Sequence, residues 1–384
     1  MFRLCNPVKT YAWGDSSFIQ DLLGLDQSPI AEVWMGAHPA DPSRIRIGAE
    51  EQPLDEYLRG THQDLPFLFK VLAAGSPLSI QVHPSKSMAR EGFARENRIG
   101  IAPDDPKRNY KDDNHKPEML LALTEFEALC GFRDFAEISL FLQHFALDEP
   151  LPAAASFIWN PSAAALSGLI RSLLELNTPA QAGFVHRVLN REFSEQHRTP
   201  QAIELQSVCH RLNVCFPGDI GCLFPLFLNH LRLQPFEAIF ISHSIPHAYL
   251  RGGGLELMAS SDNVLRGALT PKHIDIEELI RVCSFEPQPI HRIESYQNSS
   301  DLLVYSPPVS EFELTFPLLA DVDLAPAQSA RIALCLAGSY TFSSAETSLD
   351  ISKGESVFIA AGEEVRLKGD GCLAIAGTAS TIKN

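Results

Sequence analysis

Thiolate pairs, positive charge and long apolar runs are scarce in this chain, and each shortage removes a class of function. Among the eight cysteines, Cys5, Cys130, Cys209, Cys215, Cys222, Cys283, Cys335 and Cys372, none forms a Cys-x-x-Cys pair. Most sit among apolar neighbours, so they read as small buried hydrophobes in a reducing compartment and not as a disulfide framework or thiolate metal site. Cys209, Cys215 and Cys222 lie close together, but no His or Cys pattern accompanies them. Basic residues number 31 against 47 acidic ones, a formal net charge of -16. Nucleic acid and anionic membrane both require a basic surface, so neither is an expected partner. No segment approaches the roughly 20 continuous apolar residues of a membrane span, and no apolar run of signal-peptide length stands near the start. The expected location is the cytoplasm. The dense ligand spacings of a zinc finger and of His-Glu-x-x-His are absent too.

What remains is an ordinary globular chain. Its 384 residues, 45% hydrophobic and 20% charged, suffice for a substantial core and for two or three domains. Residues 1 to 135 are rich in strand-like runs broken by Pro and Gly. Residues 136–231 change character: Ala136 to His144, Ala163 to Glu175 and Thr199 to Arg211 carry apolar residues at helical spacing, with Ser, Thr or Pro near their starts. This predicts a helical insertion. Strand patterns resume at Phe236 to Ile241, and a short amphipathic helix is expected within Pro271 to Ile280. Closely spaced strands and glycine turns in 291–384 predict a second β-lobe, structural and metal-free, since no His follows Gly338.

Three polar motifs stand out against this background. In Leu78-Ser-Ile-Gln-Val-His-Pro84, Ile80 and Val82 alternate with Ser79, Gln81 and His83, so Gln81 and His83 point to one side of a strand. In Asn114-His-Lys-Pro-Glu-Met119, Pro117 favours an extended Lys116, and Glu118 opens an apolar strand. A carboxylate there needs a cation, either a metal or a Lys or Arg. In Ile239 to Ala259, two apolar runs flank Gly252, Gly253 and Gly254, which predicts a hairpin whose second strand region begins near His247. His243 is an alternative ligand to His247. An acidic chain binds an anionic ligand through a local cationic pocket, for which Arg266, Lys272, Lys116 and Lys70 are available. Lys70, inside Phe67-Leu-Phe-Lys-Val-Leu72, cannot be buried without a partner.

Taken together, Ser79 to Pro84, Asn114 to Met119, and His247-Ala-Tyr249 with Met258-Ala-Ser-Ser-Asp-Asn-Val-Leu-Arg-Gly-Ala-Leu-Thr-Pro-Lys272 closely resemble the type I mannose-6-phosphate isomerases. Lys9 to Gly14, Ala31 to Pro39 and Pro66 to Leu72 extend the resemblance over most of the chain outside the helical stretch, while Ser242 to Ser244 depart from the family's usual turn. The resemblance implies a mainly β fold: a cupin-type β-barrel or jelly-roll catalytic domain (1–135 and 232–290), a helical insertion (136–231) and a metal-free C-terminal cupin-like lobe (291–384). It implies one Zn²⁺ per chain on Gln81, His83, Glu118 and His247, with Arg266 as the active-site arginine. Trp13, Glu32, Lys70, Ser79 and Tyr249 would line the pocket, and Lys272 would help hold the phosphate.

The implied reaction interconverts D-mannose 6-phosphate and D-fructose 6-phosphate by proton transfer through a cis-enediolate, feeding mannose or GDP-mannose metabolism. Such an isomerase must stabilise the enediolate, which a Lewis-acidic cation does, and must supply a base. A redox-inert metal on Gln, Glu and two His suits that chemistry. Arg266 and Lys116 are the expected electrostatic partners, Glu256 and Asp262 the carboxylate bases, and His115 a further alternative. The only expected partner is a small phosphorylated sugar, and the chain is expected to act as a monomer. Two other readings compete: an iron-dependent cupin oxygenase, which needs only two His and a carboxylate, and a sugar-binding relative without turnover.

Overall fold

The computed structural model describes residues 1–48 and 50–379. The last residues of the expected C-terminal lobe, 380–384, lie outside the described residues. The fold is mainly β, as expected, with two eleven-stranded sheet systems and a helical segment between Phe135 and Leu226.

The first system is a two-layered barrel. One layer runs, in spatial order, through His291–Ile293, Ala238–Ile241, Glu118–Ala122, His247–Ala259, Phe67–Ala74, Glu32–Met35 and Val8–Lys9. The other contains Leu228–Leu233, Phe126–Phe132, Ile80–Val82 and Leu265–Ala268. His247–Ala259 belongs to both, pairing with Ile80–Val82 and Phe126–Phe132 near its start and with Phe67–Ala74 and Glu118–Ala122 near its end. Leu72, Leu120, Ala128, Ile239 and Tyr249 fill the space between the layers.

The hairpin expected around the triple glycine is therefore one continuous strand. Gly252 has φ +121° and lets the strand bend from one layer to the other. A Cβ on Gly252 would sit 2.6 Å from the Glu125 carbonyl oxygen, and one on Gly254 2.6 Å from that of Leu121. The glycines thus serve close approach of backbones, which a sequence pattern does not distinguish from a turn.

Each layer has a second buried face, as the unbroken apolar runs require. Outward-facing Phe67, Phe69, Val71, Leu255 and Leu257 pack on Leu314, Ile332, Leu334 and Phe358 of the C-terminal lobe. Burying a phenylalanine such as Phe67 or Phe69 contributes about 2 kcal/mol. On the other layer, Ile80, Val82, Leu129, Ala248 and Leu265 pack against the helical segment. Four of its helices start on side-chain caps: Asp134, Ser162, Asn177 and Thr199 accept from Ala136, Ala165, Ala180 and Ala202 backbone N–H groups. Each cap is worth about 1 kcal/mol.

Three findings depart from the sequence reading. The strands Phe2–Cys5, Arg44–Ile47 and Glu50–Pro53 lie in the C-terminal lobe's sheet, Phe2 pairing with Phe358, so residues 1–135 contribute to both β-systems. A helix, Lys86–Arg98, interrupts the predicted strand region; its buried positions are Ala89, Gly92 and Glu96, too small and polar to mark an apolar stripe. The helix expected within 271–280 occupies Ile276–Val282, where Asp275 caps it.

Candidate metal centre

Strand register assembles the centre. His247 pairs with Gln81 on one side and Cys130 on the other, and Gln81 pairs in turn with Arg266, so these four residues form one row across three strand junctions. Opposed residues in antiparallel strands share a face. His83 follows Gln81 by two residues, and Glu118 begins its strand opposite Met258 and Ile241.

His83, Glu118 and His247 are buried, and one ligand atom from each lies within 4.8 Å of the others. Their protonation follows from their hydrogen bonds. His83 Nδ1 lies 2.8 Å from the Asn263 carbonyl and His247 Nδ1 2.9 Å from the Ile245 carbonyl. A carbonyl only accepts, so each Nδ1 carries the proton and each Nε2 presents a lone pair. Those lone pairs face Glu118: His83 Nε2 is 3.2 Å from Oε1 and His247 Nε2 is 3.4 Å from Oε2. His83 Nε2 makes no hydrogen bond. Electron-rich atoms converging in this way call for a cation among them, so the donor set fits a divalent metal.

Electrostatics agree. Burial pushes the Glu118 carboxyl up, but Lys116, whose Nζ is 3.0 Å from Oε1, holds it well below the usual carboxylate range. Burial pushes His83 down to about 4, partly opposed by Glu118, which keeps the ring neutral and ready to ligate. Burial and the Glu118 charge push the Cys130 thiol up to about 12, so this neighbour is inert.

Beneath the ligands lies a buried ionic network. Lys70 Nζ reaches Glu256 Oε2 at 3.0 Å and Glu32 Oε1 at 3.3 Å, and sits 5.4 Å from the Trp34 ring centre. Trp34 Nε1 donates to Glu32 Oε2, and the Tyr249 hydroxyl donates to Glu256 Oε1 at 3.0 Å. Burial favours a neutral amine, but Glu256, Glu32 and Glu118 outweigh it and raise Lys70 above its usual value. Glu256 is pushed up by burial, an effect Lys70 opposes. Cross-strand pairing explains the cluster: Trp34, Lys70 and Glu256 form one row of opposed residues.

The half-buried Arg266 guanidinium makes no hydrogen bond or ion pair among the described residues, and burial lowers its pKa. Repulsion from Arg266 lowers that of exposed Lys272. Asp262 Oδ1 lies 3.6 Å from buried His38 Nε2. Trp13 lies beside Tyr11 with the rings tilted and packs on the interlayer core, and half-buried Ser79 precedes its strand. His115 Nε2 is bound to Glu311 of the C-terminal lobe at 2.6 Å, and exposed His243 is outside the ligand group. The sequence reading passed over Trp34, His38 and Asn263, although the first two lie in Ala31 to Pro39 and the third in Met258 to Lys272.

A buried cation site of two imidazoles and a carboxylate, in a two-layered β-barrel and backed by fixed lysines, defines a metal-dependent enzyme of the cupin type. The model of the phosphomannose isomerase type I catalytic domain matches residues 1–135. The chain is 40% identical to mannose-6-phosphate isomerase of Escherichia coli K12 over 393 residues, covering 97% of this chain and 98% of that one. It is 33% identical to the Homo sapiens mannose-6-phosphate isomerase, covering 96% and 95%. A zinc-bound mannose 6-phosphate isomerase structure superposes with a TM-score of 0.88 at 38% identity, covering 98% of this chain and 99% of that one. A variant of the Salmonella typhimurium phosphomannose isomerase gives 0.90 at the same identity and coverage. The chain belongs to the type I phosphomannose isomerase family.

Proposed function

We propose that this chain is a zinc-dependent isomerase interconverting D-mannose 6-phosphate and D-fructose 6-phosphate through a cis-enediolate. The observation that carries the reading is the convergence of two imidazole lone pairs on the buried Glu118 carboxylate. His83, Glu118 and His247 hold the Zn²⁺, with Gln81, the strand partner of His247, as the fourth ligand. When bound, the metal supplies Lewis-acid polarisation of the sugar carbonyl.

The chain's own groups do the rest. Arg266, unpaired and half-buried opposite Gln81, stabilises the negative charge that develops on the substrate oxygens, and Lys272 beside it draws the phosphate. Lys116 adds a fixed positive charge against Glu118. The base removes the proton at C2 of mannose 6-phosphate and returns it to C1, while the O2 proton passes to O1, so no atom is gained or lost. Both oxygens of Glu256 are engaged, one by Tyr249 and one by Lys70, so Glu256 holds Lys70 in place. The Asp262 side chain, 46% exposed, makes no hydrogen bond among the described residues and meets His38 across 3.6 Å, and it serves as the base. Glu32, Lys70 and Tyr249 form the floor of the pocket, and Trp13 and Ser79 its edge. The enzyme works as a cytoplasmic monomer, and its product serves mannose or GDP-mannose metabolism.

A coupled assay of mannose 6-phosphate turnover tests this. Chelation and Glu118→Ala are expected to abolish turnover, zinc to restore the chelated protein, and Asp262→Asn to lower kcat by about 10²–10⁴. Turnover that survives chelation would sink the reading. A zinc-loaded chain without turnover would favour the sugar-binding alternative.

A further inference from the structure

Main-chain carbonyls orient both histidine ligands, but at different ranges. His247 uses Ile245, two residues away, whereas His83 uses Asn263, 180 residues away. Asn263 is fully buried, and its side chain employs both ends of the amide. Oδ1 accepts from the backbone N–H of Lys111 at 2.7 Å and of Asp112 at 3.2 Å. Nδ2 donates to the Asp112 carbonyl at 2.9 Å, Asp112 Oδ1 at 3.1 Å and the Asn114 carbonyl at 2.8 Å. Asp112 closes the ring by accepting from the Ser261 hydroxyl and the Asp262 N–H, each at 2.8 Å.

The segment so bound, 111–114, leads directly into Lys116 and Glu118. We propose that Asn263 is a positioning residue for the metal centre: its side chain ties the Glu118-bearing segment to the very carbonyl that fixes the His83 ring. This rests on the metal reading above. Two ligands from distant parts of the chain thereby share one buried anchor, and neither can move without straining the other. Only an amide of this length offers two acceptor lone pairs and two donors together. An aspartate would turn its second oxygen toward three acceptors, at a cost that a buried site cannot relieve with water.

The test compares the full-length wild-type chain with Asn263→Asp. Zinc affinity is read by competition with a chromophoric chelator, ligand geometry by the visible absorption of the Co²⁺-loaded protein, and stability by urea unfolding with and without metal. The expected result is a zinc Kd raised about 10–100-fold, as for lost support of a metal ligand, together with a changed Co²⁺ spectrum. A merely structural role would lower the urea midpoint equally with and without metal and leave Kd and spectrum at wild-type values, which overturns the proposal. If Asn263→Asp does not fold, Asn263→Ser is held to the same criteria. The wild-type arm separates the two failures: absence of zinc binding there overturns the metal reading itself, whereas equal binding by wild type and variant overturns the role of Asn263 alone.

Discussion

Replacing Lys70 with methionine keeps the bulk of the side chain and removes a buried ammonium from between two carboxylates. Lys70 lies 3.0 Å from Glu256 and 3.3 Å from Glu32, all three nearly inaccessible to water. At an effective dielectric of about 20, each attraction is about 5 kcal/mol at contact distance, much of it offset by desolvation of the charges. Losing one partner of such a buried cluster costs about 3–5 kcal/mol, because the remaining carboxylates stay buried and repel. Burial already raises Glu256, and without Lys70 it rises further. A carboxyl whose folded pKa exceeds its unfolded value adds stability at low pH and loses it as pH rises through the folded pKa. The deficit of Lys70→Met is therefore expected to be large at pH 8 and to shrink toward pH 5. Urea unfolding, followed through the fluorescence of Trp34 beside the cluster, measures it at both pH values. Adding Glu256→Gln to Lys70→Met should recover about 1 kcal/mol or more at pH 8. A Lys70→Met protein as stable as wild type, or a deficit unchanged with pH, would refute the reasoning.

Three further outcomes can be checked directly. Gly92→Ala places a methyl group against the fully buried Tyr110 ring and should lower stability by about 1–3 kcal/mol, visible in the thermal midpoint. Thiol labelling of the native protein should be fast at exposed Cys5 and Cys215 and slow at buried Cys130, Cys209, Cys222 and Cys335, all becoming reactive in denaturant; fast labelling of Cys209 would contradict the packing. The hydrogen bond from His115 holds Glu311 down to about 2, so this contact should stabilise the fold above about pH 4.5 and fade as pH falls toward 2. Glu311→Gln should flatten that part of the acid-unfolding curve, and an unchanged curve would show that the contact contributes nothing.

The sequence was most legible where chemistry is local. Glu118 after Lys116-Pro117 could be placed on a strand from a few neighbours, His83 falls one residue past the strand Ile80–Val82 on which it was expected, and the structure brings both to His247. The helical insertion was legible from apolar spacing and from Ser162 and Thr199, which are caps. Pairing at long range was not legible. A buried Lys70 announced that it needed a partner, but only strand register identified Glu256 and Glu32. The three glycines carried a signal for unusual backbone, without saying whether the chain turns back or bends onward. Lys86–Arg98 escaped because the stripe it buries is Ala89, Gly92 and Glu96. Asn263 stood inside a motif, yet its part as an anchor depends on groups some 150 residues away.

The pairing of Phe2–Cys5 with Ser356–Ile359 has a consequence for how the molecule is made. During synthesis this first strand can pair early with Arg44–Ile47, itself paired with Glu50–Pro53, but the three-stranded piece must wait through most of translation for Ser356–Ile359 to join it to the rest of its sheet. The barrel, whose strands are all complete by Ile293, can close first. The second lobe is then finished last, when Ser356–Ile359 captures Phe2–Cys5. Cutting the gene just after Ile293 would accordingly yield neither half intact: the barrel fragment would carry the three orphaned strands Phe2–Cys5, Arg44–Ile47 and Glu50–Pro53, and the other would lack that edge of its sheet.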